Sequence, residues 1–408
     1  MIAGRRLSSA ELVAACLARI EAREVELRAW AFLDPERAIE AARERDAELA
    51  RGRGARPLHG VPVGIKDVID TKDMPTENGY RGHAGRRPAE DAACVRALRD
   101  AGAVILGKTV TTELANRTPG PTRNPVNPAH TPGGSSSGSA AAVRAGMVPA
   151  ALGTQTAGSV IRPASYCGVH GFKPSFGLVS RAGMTLQSDE LDTIGAFGRS
   201  VEDLGLVVDA MTGADPRDPS LARMATVAPP HRPRLAFVRT PVWERGERTM
   251  RDAVEGFAAS LGEDCEEVAL EPGLAEAWAW QRTVQLHGMG RHYGPLMDAD
   301  GELMSARLRG LVADGRAIPE AAFREAVEAR EGAYAEVEPV FARFDAILTP
   351  AAPGPAPEGL ESTGEAVFNA LWTYLGTPAV SLPLLEADGL PLGVQLVGPR
   401  GADGPLLR

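Results

Sequence analysis

Residues 133–159 read Gly133-Gly134-Ser135-Ser136-Ser137-Gly138-Ser139-Ala140-Ala141-Ala142-Val143-Arg144-Ala145-Gly146-Met147-Val148-Pro149-Ala150-Ala151-Leu152-Gly153-Thr154-Gln155-Thr156-Ala157-Gly158-Ser159. The pattern predicts a Gly/Ser loop, a helix over 139–145, a strand over 147–152 and a second loop over 153–159. Gly/Ser runs are usually flexible linkers. This one is short and leads straight into a helix, whose first turn presents free N–H groups. Upstream, Ala89–Asp100 reads as a helix ended by Gly102, and Ala103-Val104-Ile105-Leu106 as a strand closed by Gly107. Val61-Pro62-Val63-Gly64-Ile65 reads as a buried strand running into Lys66-Asp67. Further strands are expected over 234–238, 346–348, 379–382 and 394–397. This alternation implies an α/β fold, a single large domain with a central mixed sheet covered by helices.

The expected organisation is one domain over 1–408, with N-terminal helices in 1–55, a core in 57–200 and a C-terminal part in 234–408. Ser8 and Glu11 have capping-box spacing. Leu12, Cys16 and Ile20 then recur every four residues, giving one apolar face. Ala38–Ala50 reads as a charged second helix. Residues 211–233 read as a surface connection, and 250–345 as helices broken near Gly294-Pro295.

A chain of 408 residues can bury a large core without disulfides. A net charge of −9, with basic residues scattered among acids, carries no footprint for nucleic acid or an anionic membrane. Cys16, Cys94, Cys167 and Cys265 lie far apart without a CxxC pair, which argues against a zinc site and favours a reducing cytoplasm. Glu11 interrupts any signal-peptide apolar region. The longest uncharged run, 145–161, is broken by glycines and Pro149 and cannot span a membrane.

Gly102–Thr109 fits GxxxxGK[ST], but its four intervening residues are themselves an apolar strand. Their amides are committed to a sheet and cannot cradle phosphate. A serine nucleophile needs a base. None of the seven histidines lies in the two loops, and His130 and His170 lack a companion acid motif. A lysine buried at the end of an apolar strand can serve, because burial disfavours its charge. Lys66 meets that description; the alternative is a structural ion pair with Asp67.

Taken together, Gly64-Ile65-Lys66-Asp67, the 133–139 run and Gly153–Ser159 resemble the amidase signature family. Gly107-Lys108-Thr109 with Glu113, Gly168–Pro174, and the tail segments 376–383 and 389–398 are similar too. The resemblance spans essentially the whole chain. It implies Ser159 as the acylated nucleophile, Ser135 as the serine bridging to Lys66, with Ser136 the weaker choice, and Lys66 as base. It also implies a non-proline cis peptide, at Gly134–Ser135 or Ser135–Ser136. The backbone amides of Thr156, Ala157, Gly158 and Ser159 match the oxyanion hole. No cofactor and no metal are implied. Three positions depart from the family pattern GTDxGGSIRxPA: Gln155 replaces an aspartate, Ala157 a glycine, and Arg162 falls one place late. Relatives usually continue into one more helix beyond Arg408.

The resulting expectation is an amidohydrolase cleaving a small, non-peptide carboxylic amide to carboxylate plus ammonia or amine. Its only expected partner is that substrate, with no nucleic acid and no membrane; a homodimer is compatible with this. Two alternatives stand beside it: the amide-cleaving subunit of a glutamyl/aspartyl-tRNA amidotransferase, disfavoured by the missing Gln after the arginine, and a catalytically silent binding protein. The acyl pocket is expected from Phe368, Trp372 and Thr373, with Asn78–His83 and Trp278–His287 as further walls.

Overall fold

The computed structural model describes residues 1–213, 215, 217, 218 and 232–408. Most of the expected 211–233 connection therefore lies outside the described residues. Eleven strands form one mixed sheet: β1 (Trp30–Leu33), β2 (Pro62–Lys66), β3 (Val104–Thr109), β4 (Ala150–Gln155), β5 (His170–Lys173), β6 (Thr193–Gly198), β7 (Leu235–Phe237), β8 (Cys265–Glu267), β9 (Ala346–Pro350), β10 (Ala379–Ala387) and β11 (Leu390–Val397). Their order is β1-β3-β2-β4-β6-β5-β10-β11-β9-β7-β8. The strands expected from the tail join the sheet begun at residue 62, because β10 pairs antiparallel with β5. The fold class is as expected, and both ends of the chain contribute to one sheet.

The central strands are buried on both faces. Ile105, Ala150 and Leu152 enter one apolar cluster, while Val104, Leu106 and Ala151 enter another. This is the period-two alternation of a strand covered on both sides. The Ser137–Arg144 helix is buried along all but its last residue. Only small side chains allow so close a seat: a Cβ on Gly138 would lie 2.2 Å from the Ala29 carbonyl oxygen.

Several boundaries differ from expectation. Ser8 does cap the Ser9–Leu27 helix in a full capping box with Glu11. The N-terminal region, however, also contributes β1, which pairs with β3. Four residues with one tryptophan carry too little periodicity to announce an edge strand. The Ala277–Asp300 helix runs through Pro295 without a break. One residue before Pro295, Gly294 lets the Arg316 guanidinium lie against the helix, 2.6 Å from where a Cβ would be. Among the described residues, no helix is long and apolar enough to cross a membrane.

Candidate active site

Strands β2 and β4 run parallel, with Ile65 opposite Leu152. Lys66 and Thr154 therefore emerge together at the same end of the sheet. Lys66 is wholly buried; its Nζ donates to Ser135 Oγ at 2.7 Å and to Thr154 Oγ1 at 2.8 Å. Burial pushes the Lys66 ammonium far below the ordinary lysine range, opposed by the field of Asp192 and helped by Arg162. The ion pair with Asp67 is not made: Asp67 instead faces Lys108, 3.3 Å away. Lys108 also donates to the Ile69 carbonyl at 2.9 Å, so the P-loop lookalike is a strand carrying a structural lysine.

The cis peptide bond is Gly134–Ser135. Ser136 takes a different part from Ser135, since its Oγ meets the Thr154 backbone, accepting its N–H and donating to its carbonyl at 3.3 Å each. Arg162, although displaced by one place, still donates to the Gly134 carbonyl from a buried position.

Ser159 lies half-buried between β4 and the Ile161–Cys167 helix. Its hydroxyl has no protein partner among the described residues, and the N–H groups of Ala157, Gly158 and Ser159 likewise find no acceptor there. Unbonded amides converging on one loop can receive a developing oxyanion. The link from Ser135 to Ser159 is not closed by a hydrogen bond, which is common in unliganded catalytic sites.

Gln155 proves to be a scaffold. Its Oε1 accepts the amide protons of Val160 at 2.8 Å and Ile161 at 3.0 Å. A neutral amide oxygen thus does the capping that a carboxylate at this position could also do. The buried carboxylate of the site comes from Asp192, which accepts from Thr156 Oγ1 and from the amides of Gln187 at 2.6 Å and Ser188 at 3.0 Å. Burial pushes the Asp192 carboxyl above the usual range. Sequence reasoning missed both Asp192 and Thr154. Asp192 follows Ser188-Asp189-Glu190-Leu191, where nothing in the pattern separates it from a surface acid.

A cavity of about 390 Å³ adjoins this loop, between Ala157 and Trp278, Gln281 and Arg282 of the Ala277–Asp300 helix. Part of the expected Trp278–His287 wall thus lines this cavity. Phe368 and Trp372 do not line it; both are fully buried, Phe368 edge-on to Trp243 at 6.5 Å. On the Val367–Tyr374 helix and its cap, Ala366, Val367 and Ala370 face the cavity, and the 3.6-residue repeat turns positions 368 and 372 to the core. Thr373 reaches the loop by another route, donating from Oγ1 to the Ala157 carbonyl at 2.7 Å. Gly79, Tyr80 and Arg81 line a separate cavity.

A family model described as Amidase matches residues 11–273 and 302–407. The chain belongs to the amidase family. It is similar to the A subunit of the glutamyl-tRNA(Gln) amidotransferase of Chloroflexus aggregans, 34% identical over 100% of this chain and 93% of that protein. A solved amidase structure superposes with a TM-score of 0.90 at 31% identity, covering 99% of this chain and 95% of its own. The A subunit of the Thermotoga maritima glutamyl-tRNA(Gln) amidotransferase superposes with a TM-score of 0.81 at 28% identity, covering 99% and 93%. This amidase is thus an enzyme of amide cleavage.

The relatives correct two expectations. They are named as one subunit of an enzyme acting on glutamyl-tRNA, which overturns the free-standing hydrolase of a small amide. They equally overturn a partner set of substrate alone, without nucleic acid. The physical reason is that the signature loops encode only how an amide is cleaved. The fate of the released ammonia is decided on surfaces those loops do not contain, and one missing Gln is too little to discriminate it. Mean charge is equally uninformative, since one subunit can serve a tRNA-dependent reaction without touching the RNA.

Proposed function

We propose that this amidase is the amide-cleaving subunit of a tRNA-dependent amidotransferase, releasing ammonia from glutamine for a partner subunit. The observation that carries this reading is the 34% identity, over the whole chain, to a protein named as the A subunit of such an enzyme. The four free cysteines and the reaction's need for charged tRNA favour the cytoplasm.

In the proposed chemistry, neutral Lys66 accepts the Ser135 hydroxyl proton while Ser135 accepts that of Ser159. Ser159 Oγ attacks the glutamine side-chain carbonyl carbon. The amides of Thr156, Ala157, Gly158 and Ser159 receive the oxyanion. The C–N bond breaks, ammonia leaves with a proton returned through the relay, and water hydrolyses the acyl-enzyme to glutamate. Burial is what makes a lysine usable as the base, because it removes the proton an exposed lysine would keep. Two hydrogen bonds, to Ser135 and Thr154, fix the direction of the amine.

The test is to capture partner subunits from the source cells with the tagged chain and measure glutamine-dependent conversion of glutamyl-tRNA to glutaminyl-tRNA. The expected result is conversion by the assembly that is lost with Ser159→Ala. Robust hydrolysis of simple amides by the chain alone, with no glutamine-dependent conversion in any assembly, would contradict the reading.

A further inference from the structure

The cavity beside the Thr156–Ala157 loop is unbalanced in charge. Three arginines line it, Arg117, Arg245 and Arg282, against one acid, Glu365. Glu365 is committed to Arg245, whose Nη2 donates to its carboxylate. Among the described residues, neither Arg117 nor Arg282 pairs with a carboxylate. Desolvation first, then the charges of Arg282 and Arg307, hold Arg117 below the ordinary arginine range, opposed by the field of Glu365. An exposed arginine is ordinarily just solvated. These two, both exposed, share a cavity whose lining also includes Ala157, two residues before Ser159. At about 390 Å³ the space is that of a small molecule and too small for a protein segment or a nucleic-acid strand. Gln281 ties the arginine-bearing helix to the loop, donating from Nε2 to the Thr156 carbonyl at 3.2 Å.

Two guanidiniums without a carboxylate partner beside one small cavity favour an anion there, and guanidinium matches a planar carboxylate with two parallel hydrogen bonds. A substrate ammonium would need a free acid, and the cavity's only acid is already paired. We infer that Arg117 and Arg282 bind a carboxylate at the end of the substrate remote from the scissile amide, and that an α-ammonium is not recognised. The site then takes carboxylated amides as a class, glutamine being one member. This rests on the reading that the amide is cleaved at the Ser159 loop.

The experiment uses the full chain with Ser159→Ala, so that ligands stay intact, and isothermal titration with three amides. Glutaramate is glutamine without its amino group; valeramide replaces the carboxylate by a methyl group. The expected result is that glutaramate binds at least tenfold tighter than valeramide and no weaker than glutamine. Arg117→Gln and Arg282→Gln should each lower the glutaramate-to-valeramide affinity ratio about tenfold, with Arg117→Lys keeping part of it. Equal affinity for glutaramate and valeramide, no glutaramate binding, or an unchanged ratio in both Gln variants would overturn the inference. So would glutamine binding tenfold tighter than glutaramate. The ligand comparison needs no arginine variant, so it stands even where a variant misfolds. Carboxylate-dependent binding without any ammonia release from glutamine by the wild-type assembly would instead sink the functional reading and leave this one intact.

Discussion

Gln155 and Thr373 are joined side chain to side chain, Gln155 Nε2 donating to Thr373 Oγ1 at 2.9 Å, and Thr373 in turn donates to the Ala157 carbonyl. The loop carrying Ser159 is therefore held from both sides, by the Val367–Tyr374 helix and by the amide oxygen of Gln155 on Val160 and Ile161. Gln155→Ala leaves two buried N–H groups, of Val160 and Ile161, without their acceptor. At about 1–3 kcal/mol for each buried group left unsatisfied, a loss of at least about 2 kcal/mol in unfolding free energy is expected. Denaturant titration measures it, and an unchanged midpoint would refute the scaffold role.

Gln155→Asp keeps an acceptor at this position but adds a buried negative charge one residue after Thr154, whose hydroxyl bonds Lys66. A nearby anion favours the ammonium form and raises the lysine pKa. The acid limb of the pH–rate profile should therefore move to higher pH relative to wild type. A limb that stays in place or moves to lower pH would count against Lys66 as the titrating base.

In the wild type, the active form of Lys66 is the neutral amine. Burial lowers its pKa, so activity is expected to be lost as pH falls through that lowered value and to be retained well below the ordinary lysine pKa of about 10.4. Lys66→Arg should be as inactive as Lys66→Ala, because guanidinium does not give up its proton. Ammonia release by Lys66→Arg above about a hundredth of the wild-type rate would rule out the base role.

How much of this was legible in the sequence follows from what each signal encodes. Lys66, Ser135 and Ser159 were singled out by the resemblance to the amidase signature, whose short Gly/Ser loops and strand-end lysine are local in sequence; taken alone, each pattern also fits a structural role. β1 and β8, at three or four residues, are strands only because a neighbouring strand pairs with them. Asp192 and Thr373 reach the site through tertiary packing, from 36 and 216 residues beyond the loop positions they touch. Arg117 and Arg282 look like any solvated arginine until the fold sets them around one cavity. Phe368 and Trp372 were attractive as pocket walls for being aromatic, yet large apolar side chains are more often core, as here.

Lys173 is a third buried lysine, beside Lys66 and Lys108, placed away from the proposed reaction. It donates to the Pro174 and Thr377 carbonyls, and burial lowers its pKa to about 7, opposed by Asp403. The folded state thus resists protonating it more than the unfolded chain does. Stability contributed at this position is complete above the unfolded pKa of about 10.4 and falls as pH drops toward 7, by several kcal/mol over the window. Relative to Lys173→Met, the wild type should gain stability between pH 7 and pH 10. Parallel stability curves for the two proteins would refute this.

The central claim is that Ser159, activated through Ser135 by Lys66, is the residue that becomes acylated. Its most direct test is a serine-directed fluorophosphonate followed by peptide mass spectrometry on the wild type, Ser159→Ala and Lys66→Ala. The account predicts a single adduct on Ser159, abolished in Ser159→Ala and slowed at least about a hundredfold in Lys66→Ala. An adduct on Ser135 in the wild type, or undiminished labelling of Ser159→Ala, would contradict it.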